Sequence, residues 1–111
     1  MHVVKEEKDF GKAIRFVLRD NDKEIGSAYL YILKNDYHEE PFGFLEYLVV
    51  DEAYRGQGLG GEIIKEMIEE AKKQGCYKLV GTSRHGRDKL HKWYEELGFK
   101  NYGLEFRINL L

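Results

Sequence analysis

The order of apolar and polar residues changes period halfway along the chain. Residues 13–19, Ala-Ile-Arg-Phe-Val-Leu-Arg, and residues 24–33 are apolar and β-rich. The turn cluster Asp20-Asn21-Asp22 separates them, which predicts a β-hairpin. Residues 2–8 predict a short edge strand before it. Residues 34–41 are polar and carry the only proline, Pro41, so they predict a longer turn. Residues 42–50 are almost continuously apolar, as expected of a third strand covered on both faces. The spacing then becomes helical. Ile63, Ile64, Met67, Ile68 and Ala71 form one stripe, predicting a helix over residues 62–74. Glu62 at its start and Lys72 and Lys73 at its end suit the helix dipole, and Gly75 suits its stop.

Residues 77–83 predict a strand. Because it follows a crossover helix, it should pair parallel to residues 42–50 through a right-handed connection. Leu90, Trp93, Tyr94 and Leu97 mark a second helix over residues 87–97, ended by Gly98. Residues 99–102 and 104–111 give the last strand signals, with Gly103 a turn or bulge. The expected architecture is α/β (α+β). It has a mixed, mostly antiparallel sheet with a central β-α-β unit, in a single domain over residues 1–111.

The chemistry gathers at Tyr54-Arg55-Gly56-Gln57-Gly58-Leu59-Gly60-Gly61, between the third strand and the first helix. A glycine turn lets backbone N–H groups approach a ligand, and a helix N-terminus adds partial positive charge. Such a place suits a phosphate or pyrophosphate. The P-loop pattern is absent. The dinucleotide pattern GxGxxG is met by Gly56, Gly58 and Gly61, but no acidic residue follows the next strand, which ends in Thr82-Ser83-Arg84. A third pattern, Arg/Gln-x-x-Gly-x-Gly/Ala, is filled by Arg55, Gly58 and Gly60.

Composition narrows the classes. The chain has 111 residues, 42% of them apolar, enough for one small core. A net charge of −2 gives no general attraction to nucleic acid or membrane, so anion binding must be local. A single cysteine, Cys76, forms no internal disulfide and fits a reducing, cytoplasmic setting. The first eight residues lack the apolar core of a signal peptide.

Two motifs together resemble the GNAT superfamily of N-acetyltransferases. The first is Glu46-x-Leu48-x-Val50, then Asp51-Glu52-Ala53 and the turn through Gly60. The second is Lys89-Leu90-His91-Lys92-Trp93-Tyr94-Glu95-Glu96-Leu97-Gly98-Phe99. The likeness covers about residues 42–99. It implies acetyl-CoA as cosubstrate, no metal, and a primary amine as acceptor: a small molecule, a lysine side chain or a protein N-terminus. Leu48 and Val50 would meet the pantetheine. Arg55, Gly56, Gln57, Gly58, Leu59 and Gly60 would meet the pyrophosphate.

The resemblance also implies Tyr94 as general acid toward the departing thiolate. The Leu48 N–H would stabilise the oxyanion. Glu46, expected on one strand face with Leu48 and Val50 because strand side chains alternate, is the candidate base. Arg87 stands where the family often has Asn, and is a candidate for a CoA phosphate. The first two strands leave no room for the helices that usually shape the acceptor side. That side is expected to be open, or completed by a neighbouring subunit in a homodimer. A CoA-binding module with little catalysis is the alternative, and a dinucleotide-binding module a third reading.

Each residue also has a plainer reading. Tyr94 lies on an apolar stripe and can be core. Glu46 can be paired structurally. The turn can be only a turn. His38, His85 and His91 have no metal-ligand spacing, though His85 or His91 could relay a proton. Cys76 reads as a small buried hydrophobe.

Overall fold

The computed structural model describes residues 1–111. The chain forms two compact units, Met1–Val80 and Gly81–Leu111. The first holds three long strands, β1 (Gly11–Asp20), β2 (Lys23–Leu33) and β3 (Phe42–Val50), a short 3-10 turn at Glu52–Tyr54, and helix α1 (Leu59–Lys73). Strand β4 (Leu79–Gly81) begins in the first unit and ends on the first residue of the second, and the sheet order is β1-β2-β3-β4. The second unit holds helix α2 (Asp88–Glu96).

β1, β2 and β3 form an antiparallel meander. Asn21 makes the tight β1–β2 turn at φ 55, a conformation its short polar side chain tolerates. Between β3 and the chain leading into β4, Tyr77 N–H donates to Pro41 O (3.0 Å) and Gly43 N–H to Lys78 O (2.9 Å). The bonds advance the same way along both segments, which is the parallel sense. The sheet is therefore mixed, as the helical crossover requires.

One face of this sheet carries the core. Ala28, Leu30, Ile32 and Leu45 are buried with Ile63, Ile64, Met67 and Ala71 of α1. Two glycines leave no room for a side chain in this core. A Cβ on Gly43 would lie 3.0 Å from Leu30 Cδ1 and 3.0 Å from Leu79 Cδ1. One on Gly26 would lie 3.1 Å from Val49 O and 3.3 Å from Ile63 Cδ1.

Only alternate residues in the first half of β3 are buried, so the expectation that it is buried on both faces is corrected. On the face away from α1, Tyr29, Tyr31, Phe44 and Glu46 are only half-buried. The continuous apolar character of β3 reflects its central place in the sheet, with β2 and β4 on either side, rather than a sandwiched one.

The ends also differ from expectation. Residues 2–8 form no strand, because Gly11 already pairs with Leu33, the last residue of β2. α1 starts at Leu59, three residues before the stripe suggests, so Gly60 and Gly61 are helical. β4 has three residues where the pattern predicts 77–83. Residues 99–102 and 104–111 form no strand. Alternation prepares a segment to pair but does not by itself make a strand.

Candidate active site

β3 carries a bulge. Tyr29 faces Glu46 while Ser27 faces Val49, so Ala28 is opposed by both Tyr47 and Leu48. Tyr47 absorbs the extra residue at φ 55, a left-handed conformation rare for a bulky side chain, and stays 74% exposed. The bulge reverses the side-chain alternation.

Paired residues in an antiparallel ladder share a face, so Glu46 lies with Tyr29, and Val50 lies with Gly26 on the α1 face. Val50 Cγ2 lies 3.5 Å from the position of a Cβ on Gly26, which confirms its side. The expectation that Glu46 shares a face with Leu48 and Val50 is therefore corrected. Leu48 and Val50 face α1, and Glu46 faces the opposite side of the sheet. A residue pattern cannot show this, because nothing but a glycine would have announced the bulge.

On that opposite face Tyr31 O–H donates to Glu46 Oε1 at 3.1 Å. Tyr29 and Tyr31 stack with centroids 5.9 Å apart. Burial first, and the bond to Glu46 second, push the Tyr31 phenol above its ordinary value. Tyr31 thus fixes the Glu46 carboxylate. Only cross-strand register reveals this, since fifteen residues separate the two.

Past β4, the C-terminal half of β3 has no strand neighbour on that edge, because β4 ends at Gly81. The edge leads into the glycine turn. Gly56 and Gly58 take φ 83 and 79, the left-handed region that glycine enters freely. A Cβ at either position would meet nothing within 4 Å, so the turn is open to solvent.

Gly58 caps α1 with its carbonyl, which accepts from Glu62 N–H at 3.2 Å, and no side chain caps the helix. Leu59, Gly60 and Gly61 therefore keep amides without an intrahelical acceptor. Arg55 is exposed and folds back, its Nε donating to Val50 O at 2.9 Å. The turn is anchored by Tyr54, whose O–H donates to Asp20 Oδ2 at 2.8 Å and whose ring lies 5.6 Å from Lys23 Nζ. In the sequence Asp20 signals only a turn.

Glu46, Leu48, Val50, Arg55, Gly56, Gln57, Gly58, Leu59 and Gly60 thus belong to the first unit, and Arg87 and Tyr94 to the second. In the second unit Tyr94 packs beside Trp93 (5.1 Å) and edge-on to Phe99 (5.5 Å). Burial raises the Tyr94 phenol above its ordinary value, and the nearby Arg87 charge partly offsets the rise. The phenol keeps its proton at neutral pH, as an acid must.

Arg84, Arg87 and Arg107, with Glu105, line a cleft of about 240 Å³ in the same unit. His91 Nε2 lies 2.9 Å from Arg84 O and 3.1 Å from Ser83 Oγ. A carbonyl only accepts, so Nε2 donates, and His91 pins the loop that carries Arg84. His38 stacks on Tyr77 at 3.8 Å and lies 3.0 Å from Glu40. Cys76 is partly buried, with its thiol pushed up chiefly by burial, as a packing role suggests.

A strand, an uncapped glycine turn and a helix in this order form an α/β unit whose free amides suit an anion. The profile of the acetyltransferase (GNAT) family matches residues 2–99, and the chain belongs to that family. A Trypanosoma brucei acetyltransferase structure superposes with a TM-score of 0.79 at 32% identity, over 88% of this chain and 69% of that one.

Among curated relatives, the glucosamine 6-phosphate N-acetyltransferase of Trypanosoma brucei brucei is 38% identical over 68 residues, 61% of this chain and 44% of its own length. The N-alpha-acetyltransferase 30 of Schizosaccharomyces pombe is 30% identical over 97 residues, 86% of this chain and 63% of its own. The chain thus spans less than two thirds of either curated relative. No helix is long and apolar enough to cross a membrane.

Proposed function

We propose that this chain transfers an acetyl group from acetyl-CoA to a primary amine by direct attack in a ternary complex. The observation that carries the reading is the uncapped start of α1 behind Gly56 and Gly58, continuous with the open edge of β3. Those amides suit a diphosphate, and a strand edge suits an amide-bearing pantetheine arm. The residues present therefore fit acetyl-CoA, which supplies an activated thioester. The family match runs through both units and supports reading residues 1–111 as one functional domain.

The roles follow from each residue's surroundings. Amides of residues 56–60 hold the diphosphate, with Arg55 beside them. Leu48 and Val50 line the pantetheine, and the Leu48 N–H donates to the carbonyl oxygen as it gains charge. Glu46, held by Tyr31, accepts the ammonium proton on the face of the sheet opposite α1. Tyr94 donates a proton to the leaving sulfur. Arg87 and its two arginine neighbours supply positive charge for a phosphate.

The acceptor is a primary amine. One relative is named for glucosamine 6-phosphate and another as an N-alpha-acetyltransferase, so a sugar amine and an α-amine are the first two to test. Thermal unfolding with CoA, acetyl-CoA, NAD and ATP side by side tests the binding half. Protection by CoA and acetyl-CoA alone is expected, and protection by NAD instead would overturn the reading. Release of free CoA thiol with an amine panel tests the transfer half. Binding without turnover on any amine would leave a CoA-binding module.

A further inference from the structure

The approach to the glycine turn has a single anchor. Of residues 51–58, Tyr54 alone is not exposed. A Cβ on Gly56 or Gly58 would meet nothing within 4 Å, so no packed neighbour shapes the turn there. The bonds leading into it are local. Tyr54 N–H donates to Asp51 O at 2.9 Å, and Arg55 N–H to Glu52 O at 3.3 Å. Arg55 Nε reaches Val50 O, five residues back. The Tyr54 O–H instead crosses 34 residues of sequence to Asp20 Oδ2, at 2.8 Å. Asp20 is itself fixed, because it pairs with Lys23 across the β1–β2 turn, where Arg19 Nη1 also donates to Asp22 O at 3.3 Å. Lys23 Nζ lies 5.6 Å from the Tyr54 ring centre and 4.0 Å from Asp51 Oδ2. The bond to Asp20 first, and burial second, push the Tyr54 phenol above its ordinary value, so it keeps the proton it donates.

We propose, resting on the diphosphate reading above, that the β1–β2 turn sets the affinity of the glycine turn for the coenzyme. Tyr54 and Asp20 are positioning residues, acting through the turn and not on the ligand. Amides hold an anion well when they already converge on it. A ligand that must first order the turn loses affinity in proportion to the fraction of molecules already ordered. On one side α1 fixes Leu59, Gly60 and Gly61. On the other, Gly56 and Gly58 swing freely unless the chain entering them is held. Only residues 55–58 lie between Tyr54 and the start of α1, so fixing Tyr54 gives that short segment two fixed ends. The hydroxyl bond carries this hold. The Lys23–Asp51 pair is long and exposed, and such pairs contribute little.

Calorimetry of CoA binding to the full chain tests this. Tyr54→Phe keeps the ring and loses the bond. Its CoA dissociation constant should rise about tenfold, as when the ordered fraction of the turn falls to about a tenth. Asp20→Ala should match it, and the double variant should bind no more weakly than either single one, because the two groups act as one. Asp20→Asn keeps an acceptor oxygen and should stay within about twofold of the wild type. KM for S-acetylpantetheine, a donor without the diphosphate, should be the same in all of them. In the free protein, NMR relaxation of the Gly56 and Gly58 amides should show lost order in Tyr54→Phe and retained order in Asp20→Asn. Unchanged CoA affinity in Tyr54→Phe would overturn the proposal. So would equal losses for CoA and S-acetylpantetheine, which a general loosening of the fold would give, or Asp20→Asn as weak as Asp20→Ala. A wild-type chain that binds no CoA would remove the diphosphate reading itself, and the proposal with it.

Discussion

Replacing Tyr94 by Phe removes one oxygen and leaves the ring. The ring contacts to Trp93 and Phe99 do not depend on the hydroxyl, and no side chain holds that hydroxyl. Folding stability should therefore change by no more than about 0.5 kcal/mol, as for substitutions away from a packed or bonded group. Loss of a positioned general acid lowers turnover by roughly 10²- to 10⁴-fold, equivalent to about 3–5 kcal/mol of barrier. Affinity for acetyl-CoA should stay nearly constant, since the diphosphate and pantetheine contacts lie elsewhere. The wild-type rate should also fall on an alkaline limb above the ordinary phenol value of about 10, because burial outweighs the Arg87 charge and holds the proton on.

The sign for stability follows from the same shift. A raised phenol contributes fully below its unfolded value, and the contribution is lost as pH rises through the folded one. Steady-state release of CoA thiol, with acetyl-CoA binding by calorimetry and unfolding by circular dichroism, reads all three quantities. An unchanged rate in Tyr94→Phe would remove Tyr94 from the chemistry. A rate lost together with stability would make it a core residue.

Other substitutions separate the remaining parts. Gly58→Ala forces a side chain into φ 79 with nothing to clash against, so its cost is backbone strain of about 1–2 kcal/mol, seen as a lower Tm, together with weaker CoA binding. Gly43→Ala places a methyl 3.0 Å from Leu30 and Leu79 and should cost about 1–3 kcal/mol in denaturant unfolding without touching the turn. Glu46→Gln should lower turnover with little change in acetyl-CoA affinity. Tyr31→Phe, which frees the carboxylate without removing it, should lower turnover less. Equal losses in the two would show that the bond, and not the carboxylate, is what matters.

Much of the fold and of the site is legible in the residue pattern alone. β3 lies at its expected bounds because an apolar run between a proline turn and a glycine turn has few alternatives. The glycine turn is readable from its backbone demands, and Tyr94 is a candidate only through a motif that resembles the family's. What escapes the pattern is set by tertiary contact. The β3 bulge falls at Tyr47, a residue type that gives no warning of positive φ, and it moves Glu46 to the other face. Tyr31 and the Tyr54–Asp20 bond depend on neighbours far away in sequence. α1 starts earlier than its apolar stripe suggests because Gly60 and Gly61 are poor helix formers that a helix N-terminus nonetheless tolerates. The tail alternates like a strand, and alternation does not supply a pairing edge.

Amide chemical shifts followed by NMR during a CoA titration test the central claim most directly. The largest changes should fall on the amides of residues 56–61, spreading along the edge of β3 to Leu48 and Val50. Saturation of CoA binding with those amides unmoved would contradict the account.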